Sequence, residues 1–152
     1  PRTSAPYKRL ETIEALASSG IPVGVNVAPI IPGLNDEEMP NILKEAAARG
    51  AKSAGYIMLR LPLAVEPLFL DWLNRILPER APKIINRIKE VRNGELSDST
   101  WGKRMKGEGQ IADAINRLFH INCEKYGLNK EEIAISTDHF RRERKGQLEI
   151  FG

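Results

Sequence analysis

The sequence of 152 residues has a single cysteine, few aromatic residues (6%) and no long apolar run. One cysteine excludes a disulfide scaffold, and it excludes a zinc or iron–sulfur site built on cysteines of this chain alone. The apolar runs are far shorter than the roughly 20 residues of a membrane-spanning helix, and no secretory signal opens the chain. We therefore expect a cytoplasmic protein without a membrane partner.

The chain also lacks a large excess of charge of one sign. The chain has 23 basic and 20 acidic side chains, with a net charge of +3, and both signs occur in every third of it. This mixture is typical of a solvated surface, whereas nucleic-acid binding favours clustered basic residues. The basic segments at 103–106 and 141–145 keep nucleic-acid binding open as an alternative.

The first 62 residues alternate between helical and strand-like patterns. A helical spacing of apolar residues ends at Gly20, and the apolar run PVGVNVAPII then predicts a strand covered on both faces. The next helix is predicted to end at Gly50, with Asn35 and Asp36 as candidates for its N-cap. The stretch SAGYIMLR, ended by Pro62, predicts a second strand. The order α-β-α-β indicates an α/β fold with parallel strands.

The second half has only helical patterns and a charged tail. Three apolar stripes predict three helices, which begin near residues 65, 82 and 110. We therefore divide the chain into βα units over 1–62 and a helical C-terminal extension over 63–152. Two parallel strands would leave both edges of the sheet unpaired. Either the C-terminal helices cover one side, or further strands belong to this sheet.

The segment 20–38 is the most informative about chemistry. In a parallel α/β unit, the carboxyl end of a strand and the loop after it line the ligand crevice. Alternation places Asn26 between Gly24 and Ala28 on one face of the strand, and a ligand can approach such small residues closely. The alternative is that Asn26 bonds to neighbouring backbone and that the loop is only a tight turn.

Arg60, at the carboxyl end of the second strand, is a candidate anion-binding residue. Its guanidinium can bind a carboxylate or a phosphate with two parallel hydrogen bonds. The alternative is a structural ion pair with Asp36, Glu66 or another acid. Cys123 lies on a predicted helix near the edge of its apolar face, where a lone cysteine is most often a core residue.

Two further signals are weaker. The segment KRMKGEG precedes the last helix, so its backbone amides can bind an anion, or it is simply a glycine turn with a basic flank. His120 and His139 have no partner at metal-ligand spacing, so we assign no metal ligand and no hydrolytic triad.

Taken in order, these segments resemble the radical S-adenosylmethionine (SAM) enzymes. The motifs that carry the resemblance are KRLETIEALASSGIPVGVNVAPIIPGLNDEE and AGYIMLRLP, and they are similar to those of the spore-photoproduct-lyase-like, or DNA-repair photolyase-like, branch. In that branch they resemble the fifth and sixth strands of a partial (β/α) TIM-like barrel. PLFLDWL, WGKRMKGEG and FRRERKGQLEIF are similar as well, so the resemblance covers nearly the whole chain.

The resemblance implies SAM and a [4Fe–4S] cluster as cofactors of the parent enzyme. However, the CxxxCxxC motif that holds the cluster in this family is absent. We therefore expect the chain to be the C-terminal portion of a longer enzyme, inactive alone, and the start at Pro1 agrees with that. Its partner would be the missing N-terminal half of the barrel. A second copy could also pair through the exposed strand edge.

The resemblance also implies the site residues. Asn26, Ala28, Pro29 and Ile30 would contact the adenosine part of SAM. Arg60 would face the cavity that SAM and the substrate share, as a contact of one or the other. In the complete enzyme the reduced cluster cleaves SAM to a 5′-deoxyadenosyl radical, which abstracts a hydrogen atom from the substrate. The protein supplies orientation and shielding. The alternative function is a small stand-alone module that binds nucleic acid or itself.

Overall fold

The computed structural model describes residues 3–97, 104–131, 136–138 and 140–141. Within these ranges the chain is mixed α/β, as predicted, with five α-helices and a two-stranded parallel sheet. In the same ranges, no helix combines the length and the apolar character needed to cross a bilayer. In chain order the elements are α1 (Pro6–Ser18), β1 (Gly24–Ile30), a 3-10 turn (Asp36–Glu38), α2 (Met39–Ala48), β2 (Ser53–Met58), α3 (Val65–Ile76), α4 (Ala81–Glu90) and α5 (Gly109–Tyr126).

The register of the two strands decides which residues share a face. Gly24 pairs with Ser53 and Asn26 with Gly55, and the register shifts after Val27. In this shifted part of β1 the Ala28–Pro29 peptide is cis. Because side chains alternate along a strand, Asn26 and Gly55 lie on one face, and Val27 lies on the other.

Helices α2 and α5 cover one face of the sheet. Val27, Tyr56 and Met58 on this face are at most 8% exposed, and they share a core with both helices. The Tyr56 ring lies 4.8 Å from the ring of Phe119, and the Tyr56 hydroxyl donates to Asn116 Oδ1 at 3.1 Å. Burial of each large apolar side chain contributes about 1.5–3 kcal/mol, so this core is a main source of stability.

A second core lies at the carboxyl ends of the strands. It joins Leu59 and Leu61 to buried residues of α3 and α4, and Arg92 donates to the Leu59 carbonyl at 2.7 Å. The apolar stripe of α3 is divided between this core and the solvent. Leu73 is fully buried, whereas four large apolar residues of the same helix are exposed: Val65, Leu68, Trp72 and Ile76.

The two outer edges of the sheet differ. On β2, the Asn129 side chain accepts from Ala54 N at 2.8 Å and donates to Ala54 O at 3.0 Å. The backbone nitrogen of Asn129 also donates to Lys52 O, and Met58 N donates to Met105 O. The C-terminal part of the chain therefore closes the β2 edge. No strand among the described residues pairs with the outer edge of β1.

Among the five described α-helices, α1 alone has no buried residue. Ile13 packs against the first core, and Ala17 lies so close to Gly50 that an added Cβ there would be 2.7 Å from the Ala17 Cβ. Tyr7 and Leu16 are exposed.

Two sequence predictions about β1 and its loop are wrong. The strand is covered on one face only, because α2 and α5 pack on that face and no described element packs on the other. Asn35 and Asp36 do not cap α2, which begins at Met39 after the 3-10 turn and has no side-chain cap. Their side chains bond to the loop after β1 instead.

Candidate functional site

The uncovered face of the sheet carries small and polar side chains and one large apolar residue, Ile57. The β1 residues on it are exposed, and those of β2 are half-buried. This confirms the alternation predicted for β1. The six residues of this open face are Gly24, Asn26, Ala28, Ser53, Gly55 and Ile57.

Asn26 and Gly55 form the centre of the open face. A Cβ added to Gly55 would lie 3.4 Å from Asn26 Oδ1, so the missing side chain leaves room beside the carboxamide. The Asn26 side chain makes no hydrogen bond to another described residue, and the predicted alternative of a bond to neighbouring backbone is therefore not formed. Both its donor and its acceptor are available to a ligand.

The loop after β1 is held by its own side chains. Asn35 Oδ1 accepts from Ile31 N at 2.7 Å, and Asn35 Nδ2 donates to Pro29 O at 3.0 Å. Asp36 Oδ1 accepts from Gly33 N at 2.7 Å. Asparagine and aspartate often bond in this way to nearby backbone and so stabilise turns. The loop is therefore pre-organised without a ligand.

The four residues predicted to contact adenosine lie in two environments. Asn26, Ala28 and Pro29 are exposed, whereas Ile30 is only 1% exposed and packs in the first core. The Ile30 carbonyl accepts from Leu59 N at 2.8 Å. Ile30 therefore joins the carboxyl ends of the two strands, and it supports the open face from the core side.

Arg60 lies two residues beyond the end of β2 and is exposed. It forms no hydrogen bond or ion pair with any residue that the structure describes, so the predicted alternative of an ion pair with Asp36 or Glu66 is not formed. Its guanidinium is left for solvent or a ligand near the carboxyl ends of the strands.

Cys123 is a core residue. It is 4% exposed, and burial raises the pKa of its thiol, which disfavours the thiolate that metals bind. Across the described ranges, no group of three or more histidine, cysteine, aspartate or glutamate side chains could hold a metal ion. These residues do not fit a [4Fe–4S] cluster.

The segment before α5 favours the glycine turn over an anion site. Gly107 has a φ of +76°, and a Cβ there would lie 3.0 Å from Val91 O. An acid, Glu108, directly precedes the helix, and its side chain accepts from Asn93 at 2.8 Å. The basic residues 103, 142, 144 and 145 and His139 lie outside the described residues.

Sequence reasoning missed Arg80 and Arg87, which reach the loop after β1. Arg80 Nη2 donates to Gly33 O at 2.9 Å, across 47 residues of sequence. Arg87 lies against the same glycine, since a Cβ added to Gly33 would be 2.8 Å from Arg87 Nη1. The only signal in the sequence is their separation by seven residues, which places them on one side of a helix.

This fold and this site define a mixed α/β chain with a pre-organised loop beside an open sheet face. No family model and no solved structure matches the chain. It is 33% identical over 91 residues to uncharacterized proteins of Mycobacterium bovis and Mycobacterium tuberculosis. The match covers 59% of this chain and 26% of each relative, so most of each relative lies outside it. The similarity assigns no activity.

Proposed function

We propose that the open face of the β1–β2 sheet is the adenosine side of a SAM site. The chain would then be the C-terminal part of a partial β/α barrel in a radical SAM enzyme. The observation that carries the proposal is the unbonded carboxamide of Asn26 opposite Gly55, on a sheet whose other face packs against α2 and α5. SAM is proposed as the ligand of this face because the two strand motifs resemble those of spore-photoproduct-lyase-like proteins.

The state of the two sheet edges agrees with the proposed barrel. The β2 edge is closed by Asn129 and Met105, so strands can be added only beside β1. Helix α1 packs on the α2 side of the molecule and has no buried residue, as expected of a helix that covers a further strand next to β1. Most of each mycobacterial relative lies outside the match, which leaves room for such strands in those proteins.

Adenosine suits this face on chemical grounds. The Asn26 carboxamide can donate to and accept from a ribose hydroxyl or an adenine edge. Gly55 lets a planar base approach the backbone, whereas Ser53 Oγ occupies the space beside Gly24. The loop held by Asn35 supports one end of the site without reorganisation. When bound, SAM and the cluster supply hydrogen-atom abstraction from the substrate, while this chain binds, orients and shields.

The cluster ligands belong to another part of the parent in this proposal, because the described residues do not fit a cluster. Arg60 is exposed and unpaired in the described ranges, and it would bind an anionic group of SAM or of the substrate.

The test is SAM binding by the parent protein after anaerobic reconstitution of its cluster. Asn26→Ala should weaken SAM binding roughly two- to tenfold, the value of one or two lost hydrogen bonds. Gly55→Val should abolish binding, because the added side chain fills the space beside Asn26. Arg117→Ala, on the exposed side of α5, is the matched control and should leave binding unchanged.

The isolated chain provides a second test. It should remain colourless after iron–sulfur reconstitution. A brown product with a cluster absorption band and four irons per chain would refute the proposal, and so would unchanged SAM binding in both open-face variants.

A further inference from the structure

Two guanidinium groups meet at one residue of the loop after β1. Arg80 Nη2 donates to the Gly33 carbonyl at 2.9 Å. Arg87 packs on the Cα of the same glycine, where an added Cβ would lie 2.7 Å from its Cδ and 2.8 Å from its Nη1. Gly33 has a φ of +79° and no side chain, so it can accept this close contact.

These two cations have no carboxylate partner in the described part of the chain. The one hydrogen bond of Arg80 goes to a neutral carbonyl, and half-buried Arg87 forms neither a hydrogen bond nor an ion pair there. Neither Asp36 nor Glu79 forms an ion pair with these arginines, and Asp36 accepts from Gly33 N instead. Lys83 adds a further positive charge on α4.

An unpaired guanidinium that is partly removed from water is unfavourable. It has five donors in a planar fork and no acceptor, and its best partner is a carboxylate or a phosphate. Half-buried Arg87 is such a group, and exposed Arg80 beside the same glycine has further donors, so the two can bind several oxygens of one anion.

Both sides of this arrangement are rigid. The loop is held by Asn35 and Asp36. Helix α4 is anchored by Ile84 and Ile88, each 1% exposed. A ligand would therefore bind without the cost of ordering the backbone.

We propose that Arg80 and Arg87 form a binding site for an oxyanion, the phosphate or carboxylate group of a ligand, beside Gly33. The site lies beside Gly33 in the loop that follows β1 and includes none of the six residues of the open sheet face. Its test needs neither SAM nor a cluster, so its outcome is independent of the proposed function.

The experiment is a titration of the ¹⁵N-labelled chain, followed by NMR, with inorganic phosphate and separately with acetate. Sodium chloride at matched ionic strength is the reference. We expect a saturable shift of the Gly33 amide and of the Arg87 Nε resonance. Tighter binding of phosphate assigns the site to a phosphorylated ligand, and tighter binding of acetate assigns it to a carboxylate. Shifts that do not saturate, or that sodium chloride reproduces, would overturn the proposal.

Variants separate the site from the general positive charge of the protein. Arg87→Gln should weaken anion binding at least tenfold. Arg87→Lys should weaken it at least threefold, because the lysine ammonium keeps the charge but lacks the paired planar donors of a guanidinium. Arg9→Gln removes the same charge from exposed α1 and should have no effect. Equal weakening by Arg9→Gln and Arg87→Gln would contradict a defined site. The amide dispersion of each variant verifies that it is folded.

Discussion

The two faces of the β1–β2 sheet share one backbone and have opposite chemistry. The covered face carries Val27, Tyr56 and Met58, which are packed under α2 and α5. The open face carries Ile57 and otherwise small residues around Asn26, whose carboxamide has no partner in the described ranges. The comparison teaches that one face accounts for stability, whereas the other contributes little to it and is therefore free to serve a ligand.

The largest effect should separate the two faces directly. Met58→Ala removes a side chain that is 1% exposed, and the free energy of unfolding should fall by about 2–5 kcal/mol. Asn26→Ala on the open face should change it by no more than about 0.5 kcal/mol. Urea denaturation measures both values. Equal losses would mean that the open face is also part of the core.

The next effect concerns the edge that bounds both faces. Asn129→Ala removes two hydrogen bonds to the Ala54 backbone, so the free energy of unfolding should fall by about 1–3 kcal/mol. Hydrogen exchange at the Ala54 amide should become faster. Asn129→Asp keeps an acceptor for the Ala54 amide, so its free energy of unfolding should fall by less than that of Asn129→Ala. An unchanged Ala54 exchange rate in Asn129→Ala would show that Asn129 does not close the edge.

A smaller effect is the pH dependence of stability that Tyr56 gives to the covered face. Burial, and secondarily the charge of Asp113, raise the pKa of Tyr56 above 10.0. The folded state therefore favours the neutral phenol, and its stabilisation is complete below pH 10 and lost as pH rises through the folded pKa. Tyr56→Phe should remove this loss, and at neutral pH it should cost about 0.5–1.5 kcal/mol for the bond to Asn116.

Urea denaturation between pH 7 and 11 measures this dependence. Tyr7→Phe, on exposed α1, is the control and should keep the pH dependence of the unmodified chain. The explanation fails if Tyr56→Phe loses stability above pH 10 as steeply as the unmodified chain does.

The smallest effect is expected on the open face. Gly55→Ala places a Cβ 3.4 Å from Asn26 Oδ1, in van der Waals contact with the carboxamide. The free energy of unfolding should change by less than about 1 kcal/mol. The Asn26 side-chain amide signals should nevertheless shift in the NMR spectrum. A larger loss than for Met58→Ala would reverse the assignment of the two faces.

Local patterns predicted part of the fold and of the candidate site. The order of helices and strands followed from apolar spacing, and alternation placed Asn26 on the face opposite to Val27. The predicted caps failed because Asn35 and Asp36 have two local alternatives, a helix start or a turn. The turn prevailed, since it satisfies Ile31 N and Gly33 N.

The sequence by itself determined which side chains share a face, because the periods of a helix and a strand are local properties of the backbone. Only the tertiary structure decided which faces and edges find a partner. Asn129 closes the edge of β2 across 75 residues, and Arg80 reaches Gly33 across 47. No local period encodes such contacts, because they depend on how the elements pack around the two cores.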